Sequence, residues 1–238
     1  DIVLMKLVGI NPVIVHGGGA EISKVLESLK IESNFIDGLR VTCPKTMEVV
    51  EMVLGGKVNK EIVSKIIMNG GKSVGISGKD GGFLRVKKVK ASKKSQDLGR
   101  VGEITKVDIK LITELQDNGY IPVVAPIGSN NKGVSYNINA DHAASKIASS
   151  LKAEKLIILT DVPGIQDEKR KLISSITKKT ANSLIRKGVI AKGMVPKVKC
   201  LVQALMDGVN KAHIIDGRIP HAVIPVSYTH LRAHETGY

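Results

Sequence analysis

Tryptophan is absent and phenylalanine occurs twice, so aromatic residues make up only 3% of the chain. Base stacking on aromatic platforms, a common device for holding single-stranded nucleic acid, has little to work with here. Cysteine is scarce as well. Cys43 and Cys200 are the two present, which excludes a disulfide framework and any cysteine metal spacing. Both are expected to be small buried residues of a reducing compartment. No apolar run approaches the roughly 18 residues of a membrane helix, so no membrane partner is expected. No signal peptide is visible, and a cytoplasmic location is expected. The chain opens at Asp1 without methionine, which keeps a lost leader, and with it a plastid, as an alternative. Acidic residues are in deficit: 36 Lys and Arg stand against 22 Asp and Glu, a net charge of +14. The lysines are spread along the whole chain. Their densest run, Arg85 to Lys94, alternates like an exposed hairpin and reads as a solvated face. Such a balance favours small anionic substrates by long-range attraction, and no nucleic-acid partner is expected.

What is present is aliphatic. The 42% hydrophobic content rests on Ile, Val, Leu, Ala and Met, which suits parallel strands covered by helices. A chain of 238 residues can bury a core in one large domain or two lobes. Strand-like and helix-like segments alternate. Strands are expected at Pro12–Val15, Ser73–Ile76, Ile121–Ala125, Val134–Ile138, Lys155–Leu159, Lys211–Ile215 and His221–Ile224. Helices are expected at Ala20–Leu29, Lys45–Met68, from an Asp108 cap to Asp117, and at Ala140–Leu151, Thr177–Lys187 and Val195–Met206. Phe83–Val107 alternates in twos, as hairpins do. The order predicts an α/β fold with a mainly parallel sheet and helices on both faces.

Chemistry is concentrated in a few clusters. His16-Gly17-Gly18-Gly19 follows a strand and opens a helix. Glycines there let the backbone approach a ligand, and the helix start offers unpaired N–H groups to an anion. The common glycine motifs do not fit. A G-x-G-x-x-G fingerprint would need glycine where Ile22 stands. Gly71-Lys72-Ser73 has the end of a Walker A loop, but the first glycine would fall at Ile66. Three further clusters accompany the loop: Asp37 to Thr42, Tyr136 to Asp141, and Lys192 to Lys197. Arg40 can clamp a carboxylate through two parallel hydrogen bonds. Asn137 and Asn139 project to one side of a strand, and both can donate to an anion without adding charge. Asp141 suits a first helical turn, and Lys197 can reach a phosphate from a glycine-flexed helix start. Each has a plain alternative: Asn139 an N-cap, Asp141 a first-turn acid, Lys197 a solvated lysine, Arg40 a surface ion pair.

Taken in this order, the clusters resemble the amino acid kinase family from Asp1 to about Ile224, and within it the acetylglutamate kinases. The glycine loop is shared with kinases of carbamate, aspartate, glutamate and uridylate. Asp37–Thr42 and Tyr136–Asp141 are more specific to the acetylglutamate branch. The resemblance implies a three-layer α/β/α sandwich with a central, mainly parallel sheet. It implies lobes at 1–152, binding N-acetyl-L-glutamate and dimerising, and 153–225, binding ATP. The reaction implied moves the γ-phosphoryl of ATP, with Mg²⁺, to the substrate's side-chain carboxylate in arginine biosynthesis. Implied catalytic residues are Lys197, Asp141, Gly18 and Gly19. Implied substrate-binding residues are Gly17, Gly18, Arg40, Asn137 and Asn139. Implied nucleotide-binding residues are Thr160, Asp161, Lys192, Gly193, Met194 and Lys197. No protein-held metal site is expected, since Mg²⁺ arrives with ATP. A homodimer or hexamer is implied, with Lys45–Met68 as the interface helix. Another family member, or a non-catalytic arginine-sensing relative, is the alternative.

Two departures from the family are expected to matter. The family's first strand, ending in a lysine and a glycine turn, has no counterpart in the chain, and its absence predicts a weak or inactive protein. After Pro225 the periodicity stops. Val226–Tyr238 resembles a translated sequencing-adapter tail and is expected to be non-native, so His230 and His234 carry no functional weight despite their metal-like spacing.

Overall fold

The computed structural model describes residues 1–89, 97–169, 171–190 and 193–228. The chain divides into two compact units, residues 2–147 and residues 148–238 together with Asp1.

The first unit begins with α1 (Ile2–Leu7) and β1 (Ile14–Val15), which runs through the glycine loop into α2 (Gly19–Ser28). A tight hairpin follows, β2 (Phe35–Ile36) and β3 (Leu39–Arg40). Its turn residues Asp37 and Gly38 both have positive φ, +50° and +80°, the conformation for which Asp-Gly is selected. Next come α3 (Pro44–Val50), a π-helical segment over Glu51–Val58, and α4 (Asn59–Met68), each continuing the last without a break in helical dihedrals. β4 (Ser73–Ser77), β5 (Leu84–Lys88), β6 (Gly102–Val107), α5 (Lys110–Asp117), β7 (Ile121–Ala125), β8 (Ile127–Ser129), β9 (Ser135–Asn137) and the part of α6 (Ala140–Leu151) up to Ile147 complete it.

Strands β1, β7 and β4 form a parallel sheet in that order. Every residue of the central strand β7 is buried, as expected for a strand covered on both faces. Ile121 and Val123 pack against Ile66, with Ile62 and Val63 of α4 and Ile2 and Val3 of α1 beside them. A second cluster joins Ile22 and Leu26 of α2 to Met47, Val50, Val53 and Leu54 and to Ala125 and Ile127. Leu26 and Met47 are fully enclosed, each contributing about 1.5–3 kcal/mol by burial. A mixed sheet, β6-β5-β8-β9, carries the hairpin expected from the alternating segment.

In the second unit β10 (Lys155–Thr160) pairs in parallel with β11 (Lys211–Asp216), in register from Lys155↔Lys211 to Thr160↔Asp216. Between them run α7 (Lys178–Arg186) and α8 (Met194–Met206), packed on each other through Ala181, Met194 and Val198. The chain then forms α9 (Val223–Tyr228).

Four expectations need correction. His221–Ile224 is not a strand: His221 adopts a left-handed conformation, φ +61°, and a helix follows from Val223. Short apolar runs do not by themselves distinguish the two. The long helix over Lys45–Met68 exists, but its middle is π-helical. Asp108 is not the N-cap of α5, which is Ile109; its Oδ1 instead accepts from Lys110 N at 3.2 Å, as in an Asx turn. Neither cysteine is buried: Cys43 is exposed and Cys200 half-buried. Cys43 caps α3, its sulfur 3.5 Å from Thr46 N, and a helix end is a surface position. Half of the basic run, Lys90 to Lys94, and both tail histidines lie outside the described residues; its described members Lys87 and Lys88 are exposed.

Candidate active site

The glycine loop is the anchor of the first unit. His16 continues β1, its N–H donating to Val124 O at 3.2 Å, while Gly18 caps α2 and its carbonyl accepts from Ile22 N at 2.9 Å. The first turn of α2 therefore leaves N–H groups open toward an anion. Glu21 lies in that turn, held to Lys57 at 2.7 Å and Lys24 at 2.9 Å. Those partners, Lys57 first, lower its pKa to about 2, so its charge is matched locally.

The loop is wedged from behind by side chains. A Cβ on Gly18 would meet Leu54 Cδ2 at 2.6 Å and Val58 Cγ2 at 3.4 Å. Both belong to the π segment, whose wider turns place them on one face, and π segments often mark functional sites. The His16 ring, 7% exposed, accepts from Asn59 Nδ2 at 3.2 Å and bonds the Gly17 carbonyl through Nδ1 at 2.8 Å. Burial lowers its pKa below 6.5, which keeps it neutral at pH 7.

The clusters quoted for Asp37–Thr42 and Tyr136–Asp141 meet this loop. A Cβ on Gly17 would lie 4.0 Å from Ala140 Cβ, the first residue of α6. Asn137 is the last residue of β9 and Asn139 lies beyond it, directly before α6, with buried Ile138 between them. Asn139 Oδ1 accepts from His142 N at 3.1 Å. The N-cap alternative for its oxygen is thus realised, and its amide nitrogen is left for another acceptor. Asn137 Nδ2 donates to Thr42 Oγ1 at 3.3 Å, and that hydroxyl donates to Arg40 O at 2.8 Å. Thr42 therefore ties the Arg40 segment to β9. Arg40 is buried, not a surface ion pair. Its guanidinium donates to Gly19 O at 2.9 Å, to Ser23 Oγ at 2.8 Å and to Ser33 Oγ, and stacks 4.6 Å from the Phe35 ring. Among the described residues no carboxylate pairs with it. A buried cation without a protein anion is a place for a ligand anion. Asp141 sits in the first turn of α6.

In the second unit Thr160, buried, ends β10, and its hydroxyl lies 3.4 Å from Asp161 Oδ1. The adjacent end of β11 carries Asp216, which accepts from Arg218 Nε at 2.9 Å and Nη2 at 2.7 Å. These are the carboxyl ends of parallel strands, where α/β folds bind ligands. Gly193 caps α8 and is exposed; Lys197, half-buried, lies in its first turn. Met194 turns its side chain into the core with Ala181, Ile190 and Val198. Lys192 lies outside the described residues.

His16, Thr42, Asn59, Asp216 and Arg218 were assigned no role by sequence reasoning. Asn59 had a signal: it occupies the helix stripe of Ile62 and Ile66, where an apolar residue is expected.

The chain belongs to the amino acid kinase family, whose sequence profile matches residues 1–216. Within that class its relatives are acetylglutamate kinases. The enzyme of that name from Heliobacterium modesticaldum is 53% identical over 239 residues, 96% of this chain and 81% of the relative. That from Stutzerimonas stutzeri is 50% identical over 237 residues, 96% and 79% of the two chains. The crystal structure of smu.665 from Streptococcus mutans UA159 superposes with a TM-score of 0.82 at 31% identity, covering 90% of this chain and 86% of that one. The mixed α/β class with a parallel sheet is as expected.

Proposed function

We infer that the protein transfers the γ-phosphoryl group of ATP to the side-chain carboxylate of N-acetyl-L-glutamate, giving an acyl phosphate and ADP, a step of arginine biosynthesis. The observation that carries the reading is a relationship at 50–53% identity to acetylglutamate kinases over nearly the whole chain. The meeting of the glycine loop with the start of α6 within one unit supports it.

A carboxylate oxygen supplies an electron pair to the γ-phosphorus while the bond to the β,γ-bridging oxygen breaks and ADP departs. The nucleophile is ionised at neutral pH, with a pKa near 4, so no general base is needed. Alignment and charge neutralisation supply the acceleration. Gly17, Gly18 and Gly19 offer N–H groups to the transferring phosphoryl. Arg40 takes the substrate α-carboxylate, with Asn137 and Asn139 donating beside it. In the second unit Thr160, Asp161, Lys192, Gly193 and the Met194 backbone hold the nucleotide, and Lys197 neutralises charge on its phosphates. Asp141 orients lysine ammonium groups. Mg²⁺ would arrive on the ATP phosphates; among the described residues no three His, Cys, Asp or Glu side chains come together. When bound, that ion neutralises phosphate charge. Exposed Met52, Ile67 and Met68 on the long helix fit its use as a contact between copies in a dimer or hexamer. Among the described residues no helix is long and apolar enough to cross a membrane, and a cytoplasmic location goes with the reading.

The test is hydroxylamine trapping of the acyl phosphate, with ADP release measured in parallel. N-acetyl-L-glutamate, glutamate, aspartate, carbamate and UMP are compared as acceptors. Turnover with N-acetyl-L-glutamate alone is expected; preference for another acceptor overturns the assignment.

A further inference from the structure

A chain of hydrogen bonds runs from α4 to the glycine loop, entirely inside the first unit. Lys60 Nζ donates to Asn59 Oδ1 at 3.2 Å. Asn59 Nδ2 donates to the carbonyl of Val123 at 2.9 Å and lies 3.2 Å from His16 Nε2. His16 Nδ1 lies 2.8 Å from the Gly17 carbonyl. These contacts fix the amide and the tautomer together. A carbonyl oxygen only accepts, so the Asn59 atom facing Val123 is the NH₂. The same NH₂ faces Nε2, which must then be the unprotonated, accepting nitrogen. The remaining proton sits on Nδ1 and is donated to Gly17 O.

The consequence for the loop follows from peptide geometry. In a trans peptide the C=O of one residue and the N–H of the next point in opposite directions. With Gly17 O held on the imidazole, the Gly18 N–H is aimed away from it. Leu54 and Val58 stand where a Gly18 Cβ would lie, so the loop backbone packs closely against the π segment. Asn59 in turn stands where a side chain at position 75 would be. A Cβ on Gly75 would overlap Asn59 Oδ1 and come within 2.8 Å of its Cγ. Asn59 is 1% exposed and His16 7%, so water does not compete for these bonds.

We propose that His16 and Asn59 are positioning residues that hold the Gly17–Gly18 peptide with its N–H toward the phosphoryl group, His16 acting as the Nδ1–H tautomer. What the N–H serves rests on the phosphoryl-transfer reading; the tautomer and the peptide orientation do not.

The test uses the full chain. Nitrogen-15 histidine spectra should show His16 with a pyridine-like Nε2 and a protonated Nδ1. Asn59→Asp puts an acceptor against Nε2 and should move the proton there. Two His16 variants separate positioning from packing. His16→Asn places an amide N–H near the Nδ1 position and can still bond Gly17 O. His16→Gln is closer to histidine in volume but reaches only the Nε2 position. Positioning predicts that His16→Asn keeps most of kcat. It predicts that His16→Gln loses about a hundred- to a thousandfold in kcat, the scale of one lost N–H donor, with KM for N-acetyl-L-glutamate unchanged. The Gly18 amide resonance should shift in His16→Gln and stay near its parent position in His16→Asn. A protonated Nε2 in the parent, or a Gly18 resonance unmoved in His16→Gln, overturns the proposal. If the parent fails to phosphorylate N-acetyl-L-glutamate, the function reading falls while the two spectroscopic results still decide the positioning.

Discussion

Gly75→Ala is the sharpest probe of how the glycine loop is supported. Gly75 lies in β4, paired with Val123 of β7, and its missing side chain is the space that Asn59 occupies. An added Cβ would overlap Asn59 Oδ1 and lie 2.9 Å from Lys60 Nζ. Lys60 is exposed and can swing away; Asn59, 1% exposed, cannot. Displacing it breaks its bonds to the Val123 carbonyl and to His16. Each of the two buried partners left unsatisfied costs about 1–3 kcal/mol, so the variant should lose about 2–6 kcal/mol. With a urea slope of about 2 kcal/mol/M, the unfolding midpoint followed by circular dichroism should fall by roughly 1–3 M. The same substitution in an Asn59→Ala background should cost much less, because the clashing side chain is gone and the two sites are coupled. A Gly75→Ala midpoint equal to the parent's, or a full additive loss in the double variant, refutes the reasoning.

Other substitutions separate binding from folding. Asn139→Asp keeps an oxygen for His142 N, so the thermal midpoint should hold, but it sets a negative charge toward anionic substrates and KM for N-acetyl-L-glutamate should rise at least about tenfold, or about 1.4 kcal/mol. Asn139→Ala should instead cost about 1 kcal/mol of stability by removing the cap. Arg40→Lys loses the forked donors to Gly19, Ser23 and Ser33; calorimetry should show acceptor binding weakened about tenfold or more, and equal affinity would remove its assigned role. The pH dependence of stability has two predicted signs. Burial lowers the His16 pKa below 6.5, so the unfolded chain takes up a proton that the folded one refuses. The His16 contribution is present above pH 6.5 and declines as pH falls through and below it; His16→Asn should flatten that limb of the thermal-midpoint curve, leaving the shares of His142 and His213, both also lowered by burial. Asp216 is held at about 2 by Arg218, so its contribution is present above 3.8 and lost toward pH 2; Arg218→Ala should move acid unfolding to higher pH.

Much was determined by the sequence alone, because periodicity and turn chemistry are local. Alternating strands and helices gave the α/β class, and Ala140–Leu151 forms the helix its pattern predicts. The Asp37-Gly38 pair marks a turn that only positive φ satisfies. Cluster content, not spacing, pointed to the family, because the glycine loop, Arg40, Asn137 and Asn139 carry chemistry that a plain scaffold does not need. Local signals failed where two conformations share one pattern: His221–Ile224 is apolar and short enough for either, and the stripe over Lys45–Met68 does not register the wider turns at Glu51–Val58. What only tertiary structure decided is which groups face each other. Asn59 lies 43 residues from His16 and 64 from Val123, and Thr42 lies 95 from Asn137. No periodicity reaches across such distances; the parallel crossovers bring them together. Sequence alone therefore marked the glycine loop as a candidate anion cradle. The direction its N–H groups point was set by a buried histidine, an asparagine and the empty space at Gly75.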